Sequence, residues 1–482
     1  MSEVGVRLGP AAPEIRLPFY PQDRSSPAKL VMSASCQNLT HLPAANSIMS
    51  RLSMQCHFPV IFEKRIVALK LLQCSLRKTN TESGFVRGVP SAMVTVSVGL
   101  VRESVAMWSS FPRRTLDWAA AVLFSFILVG CAARPGPEVL MPVAASSGEK
   151  TLQIYVATTR EREISSGNVF TANRANALNF AKFVISVPPN HKSGNIEMPT
   201  ATPDPRSNFA VVDQVVMSEA DFRKAVAPQG DTRRKKHKAF VFVHGFNSNF
   251  QESLFRLAQL QADIKIDGIP ILFSWPSQGQ VAAYEMDKQS ASYSRDYLMA
   301  LLTMLSSSSE VSDIMVVAHS MGAMLTVDAL RQLRIEGKDR VIARLSRVVL
   351  AAPDINAITF RAQVQAIGPL EPPLLVLVSK DDGALRVSSF LDGGIARAGG
   401  INVDDPVVRE AALKEKVQIV DISRLAKRDD LGHDQFVSVA VLYSRSHDQA
   451  ARYRNTAGTF IFVDEDETFL RPIDVGNQVA AQ

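Results

Sequence analysis

The sequence predicts an α/β protein with a mostly parallel central sheet that is flanked by helices. Six short apolar runs, each rich in Val, Ile and Leu, follow one another from residue 239 onward. Their apolar character is continuous rather than alternating, which is typical of strands that are buried on both faces. Helical segments lie between several of these runs, and an alternation of strand and helix favours a parallel sheet.

The predicted strands share this composition and most end at polar turns. They cover residues 239–243, 269–273, 314–318, 348–352, 374–378 and 417–422, and two earlier strands cover 152–158 and 183–187. Asn249 and Glu252 have the spacing of a capping box, which predicts that a helix begins there. Ligands of such sheets bind at the carboxyl ends of the strands, so the chemistry is expected at that edge.

The 482 residues carry a formal charge of +6 at pH 7, but the basic surplus lies in the first quarter of the chain. Residues 1–116 hold 14 Lys and Arg against 6 Asp and Glu, and the remainder holds 39 against 41. The predicted α/β domain therefore has no net positive field to attract nucleic acid.

All four cysteines, the last of which is Cys131, precede residue 132. The 351 residues that follow contain no disulfide, no thiolate metal site and no cysteine nucleophile. Neither a CxxC nor an HExxH motif occurs, so we expect no metal and no other cofactor.

The N-terminal quarter shows no fold pattern, and its end shows the parts of an export signal. Residues 1–106 have no sustained helical or strand period, which predicts an unstructured segment or an upstream extension outside the functional protein. Arg113 and Arg114 then precede an apolar run at 118–129, which is too short to span a bilayer. This is typical of a secretory signal over residues 107–131, with Met107 as the expected start of translation.

The end of this segment, Leu-Val-Gly-Cys, resembles the bacterial lipobox. The resemblance implies that Cys131 is lipidated and becomes the N-terminus, with residues 132–150 as a linker to a domain at 151–445 and a tail at 446–482. The protein would then lie in the cell envelope, lipid-anchored on the outer membrane or periplasmic. The alternative is a buried helix that ends in Gly-Cys, in which case the protein would be cytoplasmic.

The candidate nucleophile is Ser320. It lies between the predicted strand at 314–318 and a helix that starts near Ala323, in the sequence Ala-His-Ser-Met-Gly. Small residues two before and two after the serine, Ala318 and Gly322, allow the close approach of strand and helix that such a turn requires. This is a variant of the nucleophile elbow G-x-S-x-G, and it resembles the α/β-hydrolases.

The oxyanion hole of such an enzyme needs backbone N–H donors. The first is expected at Met321, the residue after the nucleophile. The sequence Val-His-Gly-Phe-Asn, which follows the strand at 239–243, resembles the H-G-x loop of lipases and esterases, and by that match the second donor is the amide of Phe246. His244 is expected to shape the loop, and Trp275 either lines an acyl pocket or plugs the loop.

In this fold the chain order of the triad is Ser, then Asp or Glu, then His. Only His433 and His447 follow Ser320. His433 lies in a loop between the strand at 417–422 and an apolar helix at 436–443, which is the expected place for the base, whereas His447 lies in a polar stretch. We therefore predict His433 as the base and keep His447 as the alternative.

The candidate acid is Asp382, which follows the strand at 374–378. Its neighbour Asp381 is easily confused with it, and Asp354, after the strand at 348–352, is the main competitor. The acid would orient the imidazole and stabilise its charged form.

Together, V-H-G-F-N-S, F-S-W-P-S, A-H-S-M-G, A-P-D-I and S-K-D-D-G-A-L resemble a bacterial family of α/β-hydrolases of unassigned function, DUF900, over about residues 150–445. The family pattern matches Asp382 rather than Asp381. The resemblance implies hydrolase chemistry but carries little about the substrate. From the proposed triad, we expect a serine hydrolase that acts on a small-molecule ester or acyl substrate. A peptidase, an acyltransferase and an envelope-anchored scaffold without turnover remain as alternatives. No extensive apolar lid lies between Asp354 and Leu374, which disfavours long-chain lipase activity.

Overall fold

The computed structural model describes residues 134–144, 148, 150–199, 202–226, 236–264, 266, 268–443, 453–462 and 470–473. They all fall within one compact unit, Phe124–Gln482. The predicted signal segment, Cys131 and His447 lie outside the described residues.

A single sheet organises the described part of the chain, where it has eleven strands in the order β11-β10-β9-β8-β7-β6-β4-β5-β1-β2-β3. The eight strands from β10 to β1 are parallel, and antiparallel pairings add β11 at one edge and β2 and β3 at the other. The strands are β1 (Thr151–Arg162), β2 (Phe170–Ser186), β3 (Ala210–Met217), β4 (His237–Val243), β5 (Ile269–Ser274), β6 (Val311–His319), β7 (Leu345–Ala351), β8 (Leu374–Val378), β9 (Val417–Asp421), β10 (Gly458–Phe462) and β11 (Leu470–Pro472).

Helices connect most of the parallel strands. They are α1 (Glu219–Val226), α2 (Phe250–Ile264), α3 (Tyr284–Ser307), α4 (Met321–Ile335), α5 (Asp339–Ile342), α6 (Ala357–Ile367), α7 (Gly383–Leu391), α8 (Pro406–Lys414) and α9 (Phe436–Tyr443). The predicted capping box opens α2: the Glu252 amide donates to Asn249 Oδ1 (2.9 Å), and the Asn249 amide donates to Glu252 Oε2 (3.0 Å).

Two apolar cores lie on opposite faces of the sheet. One contains the buried side chains of α3, α4 and α6, such as Leu302 and Leu330, and the other contains those of α2, such as Leu257, together with Phe436 and Val437 at the start of α9. The predicted α/β-hydrolase architecture, a mostly parallel sheet covered by helices, is confirmed. Among the described helices, none combines the length and the apolar character that crossing a bilayer requires.

The structure differs from the sequence prediction at both ends of the domain. Within the predicted linker, Pro137–Leu140 forms a 3₁₀ helix whose Val139 and Leu140 are buried, so this part packs onto the domain because it has apolar surface to hide. Within the predicted tail, β10 pairs in parallel with β9 and buries Phe460. The domain therefore extends past residue 445. The sequence prediction also missed β3, whose outer face is exposed at the sheet edge.

Candidate active site at the carboxyl ends of the strands

Ser320 lies in the turn that joins β6 to α4. Its backbone has φ 53° and ψ −120°, a strained conformation for a residue other than glycine. The surrounding chain holds it there: the Ser320 amide donates to the Ala351 carbonyl (2.9 Å), and the Ser320 carbonyl accepts from the Ala323 amide (3.0 Å). The strained turn and the small neighbours predicted from the sequence are both present.

Gly322 explains why the elbow needs a glycine two residues after the serine. A Cβ atom at this position would lie 2.2 Å from the carbonyl oxygen of His244 and 2.7 Å from that of Val243. Both obstacles are backbone atoms, which cannot rotate out of the way. Glycine therefore allows the first turn of α4 to approach the end of β4.

His433 and Asp382 are in direct contact. Nδ1 of His433 donates to Oδ2 of Asp382 across 2.7 Å. The other carboxylate oxygen accepts from the Leu385 amide (2.9 Å), so Asp382 also caps α7. Burial lowers the pKa of His433, but the hydrogen bond and charge of Asp382, together with the charges of Asp434 and Asp354, outweigh it and hold the pKa above its ordinary value. This is the partner arrangement that a general base of the triad type requires.

The two competing carboxylates differ from Asp382. Asp381 is exposed. Asp354 is buried, but other side chains occupy both of its oxygens: Oδ2 accepts from the Tyr284 hydroxyl (2.8 Å), and Oδ1 accepts from the Ser388 hydroxyl (2.6 Å) and lies 3.2 Å from Nε of Arg397. Its interactions are those of a buried ion pair.

In the described part of the chain, the Ser320 hydroxyl makes no hydrogen bond to the imidazole. His319 links the two segments instead, since its ring lies 4.6 Å from that of His433 and its Nε2 donates to the His433 carbonyl (3.3 Å). Catalytic hydrogen bonds are often long before substrate binds, so this separation does not disqualify the pair.

His319 belongs to a row of interacting polar side chains next to the loop that carries His433. It lies 3.8 Å from the carboxylate of Asp434, which forms a salt bridge with Arg256 of α2. Burial and the positive charge of His433 lower the pKa of His319 to about 4, so its ring is neutral near pH 7. Sequence reasoning missed this row, although Asp434 directly follows the predicted base.

The two predicted oxyanion donors lie in fixed backbone. Met321 is the first residue of α4, and Phe246 lies in the loop after β4. In the part of the chain that the structure describes, no protein group accepts a hydrogen bond from either amide. The next residue, Asn247, has φ 56°, so the loop turns sharply behind Phe246.

His244 shapes this loop together with Trp275. The two rings stack with centroids 4.9 Å apart, and the indole Nε1 donates to the His244 carbonyl (2.7 Å). Burial and the charge of Arg160 lower the pKa of His244 to about 3, which leaves the ring neutral. Its Nδ1 then donates to the Gly245 carbonyl (2.9 Å), and its Nε2 accepts from the Trp275 amide (3.1 Å). Trp275 is thus a fully buried plug of the loop rather than a pocket wall.

Two buried charged residues bind the loops that follow β4 and β5, and sequence reasoning missed both. Arg160, at the end of β1, donates to the carbonyls of Ser248 (2.9 Å) and Ser277 (3.0 Å). Asp287 of α3 accepts from the Ser277 hydroxyl (2.5 Å) and the Gln278 amide (2.8 Å). Charges next to apolar runs are typical of solvated strand ends, so only the fold reveals that these two lie inside.

The described residues contain no group of three or more His, Cys, Asp or Glu side chains that could hold a metal ion. The site instead combines a strained serine, an imidazole paired with a carboxylate, and two available amides. This set of groups can carry out acyl transfer.

Comparison with known proteins finds one matching family. Residues 218–450 match the family described as alpha/beta hydrolase of unknown function (DUF900). Over these residues, the chain is similar to that family. The matched range contains Ser320, Asp382 and His433, whereas β1 to β3 precede it.

Two solved structures show distant similarity to this chain. A lipase-esterase related protein from Clostridium acetobutylicum ATCC 824 is 14% identical, with 43% of this chain and 83% of that chain covered and a TM-score of 0.19. Brefeldin A esterase, a bacterial homologue of human hormone sensitive lipase, is 9% identical, with 64% and 70% covered and a TM-score of 0.21. No curated protein matches the sequence.

Proposed function

We propose that this protein is a serine hydrolase that cleaves ester bonds, with Ser320 as nucleophile, His433 as general base and Asp382 as the acid that orients it. The observation that carries the proposal is the 2.7 Å contact between His433 and Asp382, made at the edge of the sheet where Ser320 lies in its strained turn. The amides of Met321 and Phe246 form the proposed oxyanion hole.

The proposed reaction has two halves. In the first, Ser320 Oγ bonds to the ester carbonyl carbon while Nε2 of His433 takes its proton, and the carbonyl oxygen becomes an oxyanion held by the two amides. Nε2 is available for this because Nδ1 is bound to Asp382. The intermediate collapses, His433 gives the proton to the departing alcohol, and an acyl-enzyme remains. Water then attacks the acyl-enzyme by the same route and releases the acid.

The surface next to Asp382 favours an acyl substrate. Helix α7 begins at this carboxylate and presents Val387, Phe390 and Leu391 to solvent, and Phe390 is 82% exposed. Ser388 of the same helix contacts Asp354, which keeps α7 over the carboxyl ends of the strands. The sequence showed no apolar lid between Asp354 and Leu374, and the apolar surface lies instead on the following helix. An acyl chain leaving the site along α7 would cover these side chains.

We also propose, from the sequence alone, that lipid on Cys131 anchors the protein in the cell envelope. The first described residues follow Cys131 by only three positions and already pack on the domain. A peptidase or acyltransferase would use the same groups, and a silent scaffold would need none of them.

Labelling with a fluorophosphonate probe tests the proposal. The wild-type protein should be labelled and should hydrolyse p-nitrophenyl esters, and Ser320→Ala should lose both while it keeps its melting temperature. His433→Ala should lose hydrolysis by a similar factor, about 10⁴-fold or more, because triad members act as a unit. Ser309→Ala, in an exposed turn, is the matched control. An active Ser320→Ala protein or an unlabelled, inactive wild type would refute the proposal.

A further inference from the structure

Arg134 joins three segments at the back of the candidate oxyanion loop. Its Nη1 donates to the side-chain oxygen of Asn247 (2.7 Å), and its Nη2 donates to the Asn247 carbonyl (2.5 Å). Its Nε donates to the carboxylate of Glu252 in α2 (2.8 Å), and Nη1 also reaches the carbonyl of Gly279. A single guanidinium therefore holds the residue after Phe246, the first turn of α2 and the loop that follows β5.

Asn247 is the part of the loop that most needs holding. Its φ of 56° is a conformation that residues with a side chain seldom adopt, and it directly follows the proposed donor Phe246. On the other side of the loop, the Ser248 amide donates to Ser277 Oγ (3.2 Å), and the Ser277 hydroxyl donates to the buried carboxylate of Asp287 (2.5 Å). Arg134 thus holds Asn247, and Ser277 with Asp287 holds Ser248, so the two residues that follow Phe246 are fixed from different chain segments.

The segment that presents Arg134 is itself packed on the domain. Val139 and Leu140 are buried, and the Leu140 carbonyl accepts from the side chain of Gln214 in β3 (3.1 Å). The Pro135 carbonyl accepts from Nδ2 of Asn249 (3.0 Å). Arg134 therefore belongs to a segment at residues 134–140, here called the strap, that packs on the domain.

We infer that Arg134 is a positioning residue for the oxyanion hole, supplied by the strap, more than 100 residues before the nucleophile. This inference rests on the proposed function. An oxyanion donor is effective only when it is fixed within fractions of an ångström of the developing charge. Loss of Arg134 should therefore weaken transition-state binding more than substrate binding, and should lower kcat with little change in KM.

The test compares the wild-type protein with Arg134→Ala, Arg134→Lys and Arg223→Ala. Arg223→Ala is the matched control, since Arg223 is also exposed and also pairs with a glutamate, Glu219. We expect Arg134→Ala to lower kcat roughly 10- to 100-fold, a part of what loss of an oxyanion donor costs, and to weaken binding of a boronic acid mimic of the tetrahedral intermediate by a similar factor. Lysine lacks the planar fork and should not restore activity.

A second readout separates positioning from folding. Millimolar guanidinium should restore part of the kcat of Arg134→Ala and leave Arg223→Ala unchanged, because the vacated place is at the surface. A kcat of Arg134→Ala within twofold of wild type, an equal loss in Arg223→Ala, or a loss that guanidinium does not relieve would overturn the inference. A wild-type protein without esterase activity would overturn the proposed function, and this inference with it.

Discussion

Nδ1 of His433 lies 2.7 Å from Oδ2 of Asp382, although 51 residues separate them in the chain. The same carboxylate caps α7 through its other oxygen. One side chain thus fixes both the imidazole and the helix that carries the exposed apolar surface. The orientation of the proposed base and the position of the proposed acyl-binding helix are therefore set by the same residue.

Replacing the three carboxylates separately tests which one is the acid. Asp382→Asn should lower kcat roughly 10³- to 10⁴-fold, because the amide cannot stabilise a charged imidazole. Asp381→Asn, at an exposed position, is the matched control and should stay within about twofold of wild type. Asp354→Asn should lower stability by about 3 kcal/mol, since it weakens the partner of buried Arg397, while the folded protein keeps most of its kcat. A larger loss of kcat in Asp354→Asn at equal stability would move the acid to the end of β7.

The pH dependence of kcat/KM should report the state of His433. The base must be neutral to take the proton of Ser320, so activity falls as the pH drops through the pKa of His433. Because Asp382, with smaller contributions from the charges of Asp434 and Asp354, outweighs burial and raises this pKa, the acid-side midpoint should lie above the ordinary 6.5. In Asp382→Asn the burial remains and the charge is gone, so the midpoint of the residual activity should move to lower pH. A midpoint below 6.5 in wild type, or one that Asp382→Asn does not move, would argue against the pairing.

Gly322→Ala should destabilise the protein by about 1–3 kcal/mol or more, because the added methyl group meets the His244 carbonyl at 2.2 Å. Urea unfolding of the purified variant measures this cost. The control is Gly400→Ala, where an added Cβ has its nearest neighbour at 3.9 Å and should change stability little. Equal stabilities for the two variants would mean that α4 can move away from β4 at little cost.

Phe390→Ser should lower kcat/KM for long acyl esters selectively. If the acyl chain covers α7, loss of this side chain should cost roughly tenfold on an octanoate ester and little on an acetate ester. Ile335→Ser, an equally apolar exposed change at the end of α4, is the matched control. Equal losses on both esters, or the same selectivity in Ile335→Ser, would show that the acyl chain does not bind along α7.

Lipid anchoring is tested on the protein made from its native gene. The intact mass should correspond to a chain that begins at Cys131 and carries acyl chains, and the protein should fractionate with membranes. Each buried CH₂ contributes about 0.8 kcal/mol, and more than one chain is needed for stable anchoring. Cys131→Ser should lose the mass increment and the membrane association. A soluble product that retains residues 1–106 would contradict the anchor.

Local patterns in the sequence were enough to predict the parallel strands and the serine turn. Strands buried on both faces need continuous apolar runs, so the strands from β4 to β9 were visible as such in the sequence. The elbow needs small residues around Ser320, and the capping box needs Asn249 and Glu252 at fixed spacing. The capping box is a contact between residues close in the chain. The apolar runs and the small residues of the elbow reflect long-range packing, such as the approach of Gly322 to the His244 carbonyl, that leaves a local pattern in the sequence.

Only the tertiary structure decided which distant groups meet. Asp381 and Asp382 are neighbours of the same chemical type. The family resemblance favours Asp382, and the structure buries Asp382 against His433 while it leaves Asp381 in water. Arg134 reaches Asn247 from a segment more than 100 positions away along the chain. A sequence shows charge and apolarity at each position, but long-range pairing depends on where the completed sheet brings the strand ends together.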